Sequence, residues 1–282
     1  MNALEIKHLC KSFPGFCLDD LNLTLPSGCI LGLIGENGAG KSTTIKLILD
    51  VLHKDSGSIT ILGRDNLDNI RLTKEDVGVV LDEVGIPECL NTHQVGKVMS
   101  LTFRNWNNDA YKGYLKALAI PEKKPFKDFS RGTKMKLGIA IALSHGAKLL
   151  LLDEATNGLD PVAREQVVEL LSEFTRDESH AILISSHIVS DLEKLCDTIA
   201  FLHKGRLLLW EDKDTLREEY ALWQGTAAQL AQLDPGAVYG RRVTPYGVSA
   251  LVRREKMPAG ARLAPVSIEE LFVMMVKGEN AQ

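Results

Sequence analysis

The stretch Gly35-Glu36-Asn37-Gly38-Ala39-Gly40-Lys41-Ser42-Thr43 constrains this chain more than any other. An apolar run, Cys29-Ile30-Leu31-Gly32-Leu33-Ile34, leads into it, and Ile45-Lys46-Leu47-Ile48-Leu49 follows it. The pattern predicts a buried strand, a glycine loop and the first turns of a helix. The spacing G-x-x-x-x-G-K-S is that of the phosphate-binding P-loop. Gly35, Gly38 and Gly40 open backbone conformations closed to residues with a side chain. Successive N–H groups of the loop, those of Asn37 and Ala39 among them, can then turn inward onto phosphate oxygens. A helix starting near Lys41 and running through Thr43 adds its positive end. Lys41 brings a full charge to the β- and γ-phosphates, and Ser42 offers a hydroxyl to Mg²⁺. A plain glycine turn between a core strand and a core helix would explain one or two glycines. It would not explain Lys-Ser at the helix start, so the stretch is read as a nucleotide site.

Size and charge leave room for such a site and exclude some partners. The 282 residues can bury a large core in one domain, or in one domain plus an appendage, and 45% of them are hydrophobic against 25% charged, as in ordinary globular chains. A net charge of −4 argues against a general nucleic-acid binder. The five cysteines, Cys10, Cys17, Cys29, Cys89 and Cys196, form no C-x-x-C pair, which points to reduced thiols in the cytosol and not to a zinc site or disulfide framework. The first residues, Met1 to Lys7, lack the apolar stretch of a signal peptide, and runs such as Leu149 to Leu152 are too short to cross a bilayer. Any contact with a membrane is therefore expected to run through a partner.

Around the P-loop the pattern alternates strand and helix. Leu4 to Leu9 and Leu21 to Leu25 alternate apolar and polar residues, and predict an antiparallel patch, with Phe13 in a short loop beside Pro14 and Gly15. Ser58 to Ile61 and Val77 to Leu81 read as strands. Asn91 to Leu118 turns helical, with Asn91 and Gln94 spaced for a capping box, and Gly132 to Leu143 predicts a further helix. Lys148 to Asp153 reads as a fully buried strand, Pro161 to Glu173 as a helix, Ala181 to Ser186 as a strand, Ile188 to Cys196 as a helix and Thr198 to Leu202 as a strand. Such alternation implies an α/β fold with a mostly parallel central sheet covered on both faces. Beyond Asp212 the pattern weakens to a helix over Thr215–Tyr220, short strands near Val243 and Ala250-Leu251-Val252, and a final helix from Ser267. The expected organisation is a P-loop NTPase domain over 1–211, with a helical subdomain at about 88–143, and a small accessory subdomain over 212–282.

Asp153-Glu154, at the end of an apolar strand, completes the chemistry. Ligands bind outside the carboxyl ends of the strands in sheets of this kind. Asp153 is expected to face the P-loop and hold Mg²⁺. Glu154 is expected where a water can attack the γ-phosphate, orienting that water and taking its proton. Two solvated acids at a strand end would be the plainer reading without the P-loop; beside it they read as a site.

At this point the chain resembles the ATP-binding-cassette (ABC) ATPases over roughly residues 1–211. Phe129-Ser130-Arg131-Gly132-Thr133 resembles their signature motif, and Asn157-Gly158-Leu159-Asp160-Pro161 their D-loop. His187 resembles the switch histidine, Phe13 the aromatic that stacks on adenine, and Asp82 stands where the Q-loop glutamine is usual. The resemblance implies Glu154 and His187 as catalytic. It implies Phe13, the P-loop, Ser130, Gly132 and Asp160 in nucleotide binding, and Ser42, Asp153 and Asp82 at the metal. Ser130 and Gly132 would reach the γ-phosphate of ATP held by a second subunit; they would equally make an ordinary helix cap. Arg131 replaces a signature glycine, Thr133 a glutamine, and Asp82 the Q-loop glutamine. None of these changes removes a phosphate-binding backbone group. A basic residue after the signature serine and an acid at the Q-loop resemble the subset that serves antibiotic, peptide and drug exporters with a separate permease.

The resemblance thus implies an ATP-hydrolysing subunit of an ABC transporter, an exporter, bound to an integral-membrane permease. It would lie in the cytoplasm on the inner face of the membrane and pair head to tail with a second ATPase subunit, with no nucleic-acid partner. The alternative is a soluble ABC ATPase outside transport. Those usually carry two cassettes or a long coiled-coil insertion, and one cassette without a heptad run is visible here. A nucleotide-sensing regulatory subunit is a third reading, against which Glu154 and His187 count.

Overall fold

A computed structural model of the chain describes residues 1–67, 74–244 and 247–277. They form two compact units, Met1–Trp210 and Glu211–Gln282.

The first unit starts with a hairpin. Strands β1 (Asn2–Phe13) and β2 (Phe16–Pro26) pair antiparallel across Pro14-Gly15, so Phe13 ends a strand, opposite Phe16, instead of sitting in the expected loop. Strand β4 (Ser56–Ile61) pairs with the other edge of β1, and the short β5 (Arg64–Asp65) closes a four-stranded antiparallel sheet. Alternation along β1 and β2 turns Leu4, Ile6, Leu21, Leu23 and Leu25 inward, and a register shift after Ile6 brings Leu9 to the same core.

That apolar face shares one core with a second sheet of six strands. Its order is β10 (Arg206–Asp212), β9 (Thr198–His203), β3 (Ile30–Ile34), β8 (Ala181–Ser186), β7 (Leu149–Asp153) and β6 (Val77–Val80). From β9 to β6 all pairings are parallel. Strands β3, β7 and β8 are buried at every position, which is why their sequences read as unbroken apolar runs. Strand register fixes which residues end level with one another. Leu33 lies opposite Ser185, Ile34 opposite Ser186 and Asp153 opposite Ser185. The residues that end β3, β7 and β8 therefore emerge together at one edge of the sheet.

Between β6 and β7 the chain is helical. Helix α2 (Thr92–Thr102) starts with the expected capping box: Asn91 Oδ1 accepts from the Gln94 N–H and Gln94 Oε1 from the Asn91 N–H, both at 3.0 Å. Helix α3 (Asn108–Ala117) follows, capped by Asn107. Helix α4 (Arg131–Ala142) starts one residue before the expected Gly132, because Ser130 caps it. Helices α5 (Pro161–Phe174) and α6 (Val189–Leu195) follow β7 and β8.

The second unit, apart from its α-helices α7 (Lys213–Glu219), α8 (Ala227–Leu230) and α9 (Ile268–Lys277), is mainly antiparallel sheet. Its strand order is β12 (Val238–Thr244), β13 (Gly247–Arg253), β11 (Tyr220–Gly225) and β14 (Leu263–Ala264). Capped by Asp212, α7 starts two residues before the expected Thr215. Strand β11, unforeseen in the sequence, pairs with β13 along its whole length. Helix α9 lies so close to β12 that a Cβ at Gly240 would clash with the Met274 carbonyl oxygen.

Candidate functional site

The P-loop joins β3 to α1 (Lys41–Ile48). Gly40, the residue before the helix, has φ 113°, in the left-handed region that favours glycine. A Cβ on Gly35 would lie 2.6 Å from the Leu202 carbonyl oxygen, so the loop hugs the end of β9. With glycine at the cap no side chain covers the first N–H groups of α1, and they face an anion site by default.

Lys41 folds back beneath this loop and is only 6% exposed. Its Nζ donates to the carbonyls of Gly35 at 2.7 Å and Glu36 at 3.3 Å, and lies 3.5 Å from Glu154 Oε1. Glu154 follows β7 with φ 54°, unusual for a residue with a side chain. Its N–H donates to the carbonyl and hydroxyl oxygens of Ser185 at the end of β8. The Ser185 hydroxyl in turn donates to Asp153 Oδ1 at 2.6 Å, inside the protein. One serine thus fixes both acids, a role its sequence position did not announce. The other carboxylate oxygen of Glu154 accepts a hydrogen bond from His187 Nδ1 at 2.7 Å.

The residues expected around one nucleotide largely converge. A cavity of about 770 Å³ is lined by Phe13, Asn37 to Thr43, Asp82, Arg131, Glu154, Asn157 and His187, among others. Phe13 is half-exposed there, 6.3 Å centroid to centroid from Phe16. Asp153 is buried, 2% exposed, beneath the cavity instead of on its wall. Ser130, Gly132 and Asp160 stand outside it. Ser130 caps α4 through the Thr133 N–H at 3.2 Å. A Cβ on Gly132 would meet the Gly158 carbonyl oxygen at 2.8 Å, so the start of α4 packs on the loop after β7. Asp160 Oδ1 caps α5 through the Ala163 N–H at 3.0 Å, and that bond holds its carboxyl below the usual carboxylate range.

Asp82 is engaged in a way the sequence did not show: its carboxylate pairs with the Arg131 guanidinium, joining the segment after β6 to the first turn of α4. Among the described residues no three His, Cys, Asp or Glu side chains converge on a metal position. Mg²⁺ takes one or two protein oxygens together with phosphates and water, and the Ser42 hydroxyl on the cavity wall and the buried Asp153 carboxylate are oxygen donors of that kind.

Residues 18–157 match the ABC transporter family. A lantibiotic transport ATP-binding protein, SrtF of Streptococcus pyogenes, is 36% identical over 75% of this chain and 91% of its own length. The ABC transporter ATP-binding protein YtrB of Bacillus subtilis is 29% identical over 98% of this chain and 99% of its own. A solved ATP-binding subunit of an ABC transporter superposes with a TM-score of 0.70 at 27% identity, covering 76% of this chain and 92% of that one. On sequence, fold and site together, the chain belongs to the ABC transporter family, as an ATP-binding and ATP-hydrolysing subunit that uses Mg²⁺.

Proposed function

We propose that this chain powers an exporter of the antibiotic and multidrug kind, docked on a separately encoded membrane permease at the inner face of the membrane. The observation that carries the hydrolytic half is the chain of contacts Lys41–Glu154–His187 at the strand ends. The export half rests on likeness to SrtF, with the basic Arg131 and acidic Asp82 in support. No described helix is long and apolar enough to cross a membrane, so the permease would supply the anchor. Residues 1–211 would form the ATPase domain, 88–143 its helical subdomain and 212–282 an accessory subdomain.

In this reading each residue has a task. Lys41 and the loop amides of Asn37 to Thr43 bind the phosphates, and Phe13 stacks on adenine. Ser42 and Asp153 would hold Mg²⁺, with Asp82 beside it once released from Arg131; the ion would neutralise charge on the phosphates. The γ-phosphate draws the Lys41 ammonium away from Glu154. The freed carboxylate takes the proton of the attacking water as the new P–O bond forms and the bond from the γ-phosphorus to the β–γ bridging oxygen breaks, so that ADP leaves with that oxygen and inorganic phosphate is released; His187 holds the carboxylate in place. Ser130 and Gly132 would complete the site of a second subunit, and Asp160 would keep the adjoining helix start in register. Two subunits pair head to tail around two ATP molecules, and opening after hydrolysis is felt by the permease. The test is affinity capture of the tagged full chain from detergent-solubilised membranes. Recovery of an integral-membrane permease whose expulsion of a peptide antibiotic depends on Glu154 supports the reading; capture with a substrate-importing permease overturns its export half.

A further inference from the structure

The helical segment between β6 and β7 carries an uneven share of the charge. Residues 88–143 hold ten Lys or Arg against four Asp or Glu, in a chain whose net charge is −4. The segment is basic and the remainder acidic.

Part of that basic charge is gathered in one place. Lys97 on α2, and Lys112 and Lys116 one turn apart on α3, are exposed and line a groove of about 710 Å³ with His93. The groove has a firm floor. The Tyr111 ring packs where a Cβ on Gly96 would come within 2.8 Å, and its hydroxyl donates to the Thr92 carbonyl at 2.9 Å. Among the described residues no carboxylate pairs with any of the three lysines. Leu101, one turn along α2 from Lys97, is 83% exposed, and Val98 beside it is 45% exposed. Lys123 and Lys124 follow the groove's only acid, Glu122, and are exposed as well.

We propose that this face docks on an anionic lipid bilayer. Unpaired lysines answer the negative headgroups, and an exposed leucine beside them can enter between the headgroups. The alternatives fit less well. A protein partner calls for an apolar interface core, which Leu101 and Val98 alone do not make. Single-stranded RNA calls for exposed aromatic platforms, whereas Tyr111 is 3% exposed and the Trp106 Nε1–H is committed to Asn108. The contact goes beyond the transport reading, since it needs neither ATP nor permease. With a permease present it would fix the azimuth of the ATPase beneath the membrane.

The test uses the purified full chain without nucleotide. It is floated with vesicles of phosphatidylglycerol and phosphatidylcholine in equal parts, or of phosphatidylcholine alone, at low and high salt. Binding should appear only with the anionic vesicles and fall steeply with salt. Each lysine near such a surface is worth about fivefold in partitioning. The triple change Lys97→Gln, Lys112→Gln, Lys116→Gln should therefore lower binding by about a hundredfold while ATP hydrolysis continues, which also shows that the variant folds. Lys112→Gln alone should lower it about fivefold, and covers the case of a misfolded triple variant. The proposal is overturned if the wild-type chain shows no preference for anionic vesicles, or if the lysine changes leave that preference intact. Lysine-dependent binding to a polyuridine probe, without vesicle binding, would make the face a nucleic-acid site instead.

Discussion

Lys41 holds a full charge at 6% exposure. An ammonium removed from water is costly unless hydrogen-bond acceptors surround it. Here two backbone carbonyls and one carboxylate do so, and in the proposed reading the phosphates of ATP take the carboxylate's place. Replacing Lys41 with Ala should abolish ATP hydrolysis and weaken nucleotide binding, while the melting temperature moves little, because the loop's backbone bonds stay. Turnover near the wild-type rate in the purified variant would remove the lysine from the chemistry. The neighbouring Arg131–Asp82 pair is a different matter. Both side chains are about half exposed, 55% and 51%, and exposed pairs contribute little to stability. A double-mutant cycle with Arg131→Ala and Asp82→Ala should give a coupling below about 1 kcal/mol in urea unfolding. A value of several kcal/mol would mark the pair as structural. The P-loop was legible in the sequence because its residues are contiguous. The Arg131–Asp82 and Ser185–Asp153 contacts were not, because each joins separate segments, the first a helix start and a loop 49 residues apart and the second two strands brought level by their register.

Elements bring a second kind of control, through buried groups that join them. His145 lies just past α4, stacked on Phe103 at the end of α2 with ring centroids 4.0 Å apart. Burial pushes its imidazole below the ordinary value of 6.5, outweighing the Glu75 carbonyl that favours the charged form. The sign follows from proton uptake. Below about pH 6.5 the unfolded chain gains a proton at this residue that the folded chain resists. Stability should fall as pH drops through that value and level off below the lowered folded one. Melting curves of the wild type and His145→Gln from pH 8 to pH 5 should converge towards acid pH; parallel curves would mean the imidazole titrates freely. The same elements show what a sequence reveals at this scale. Strands β3, β7 and β8 were legible because burial on both faces leaves an apolar run, and α2 because Asn91 and Gln94 both cap it. Strand β11 was not, since Tyr220 to Gly225 mixes Gln and Gly with aromatics and gains its partner, β13, only in the folded chain.

At the scale of the whole molecule, Arg131 in the first turn of α4 lines the cavity of the P-loop, yet Ser130 and Gly132 on either side of it do not, although all belong to the same unit. A site assembled from two copies accounts for that separation, since the cap hydroxyl and helix N-terminus of one copy can meet the phosphate held by another. Glu154→Gln tests it. The change keeps the side chain's size and removes most of its basicity, so binding should survive while hydrolysis falls by about 10²–10⁴. If cleavage is what ends the closed state, the variant should run on a sizing column as a dimer in ATP and as a monomer without it. Adding Ser130→Arg should abolish the dimer, because the larger side chain would enter the contact with the partner's phosphate. A Glu154→Gln variant that hydrolyses at the wild-type rate places the base elsewhere. One that is inactive and still monomeric in ATP keeps Glu154 as the base and turns the search towards a different ATPase subunit as the natural partner.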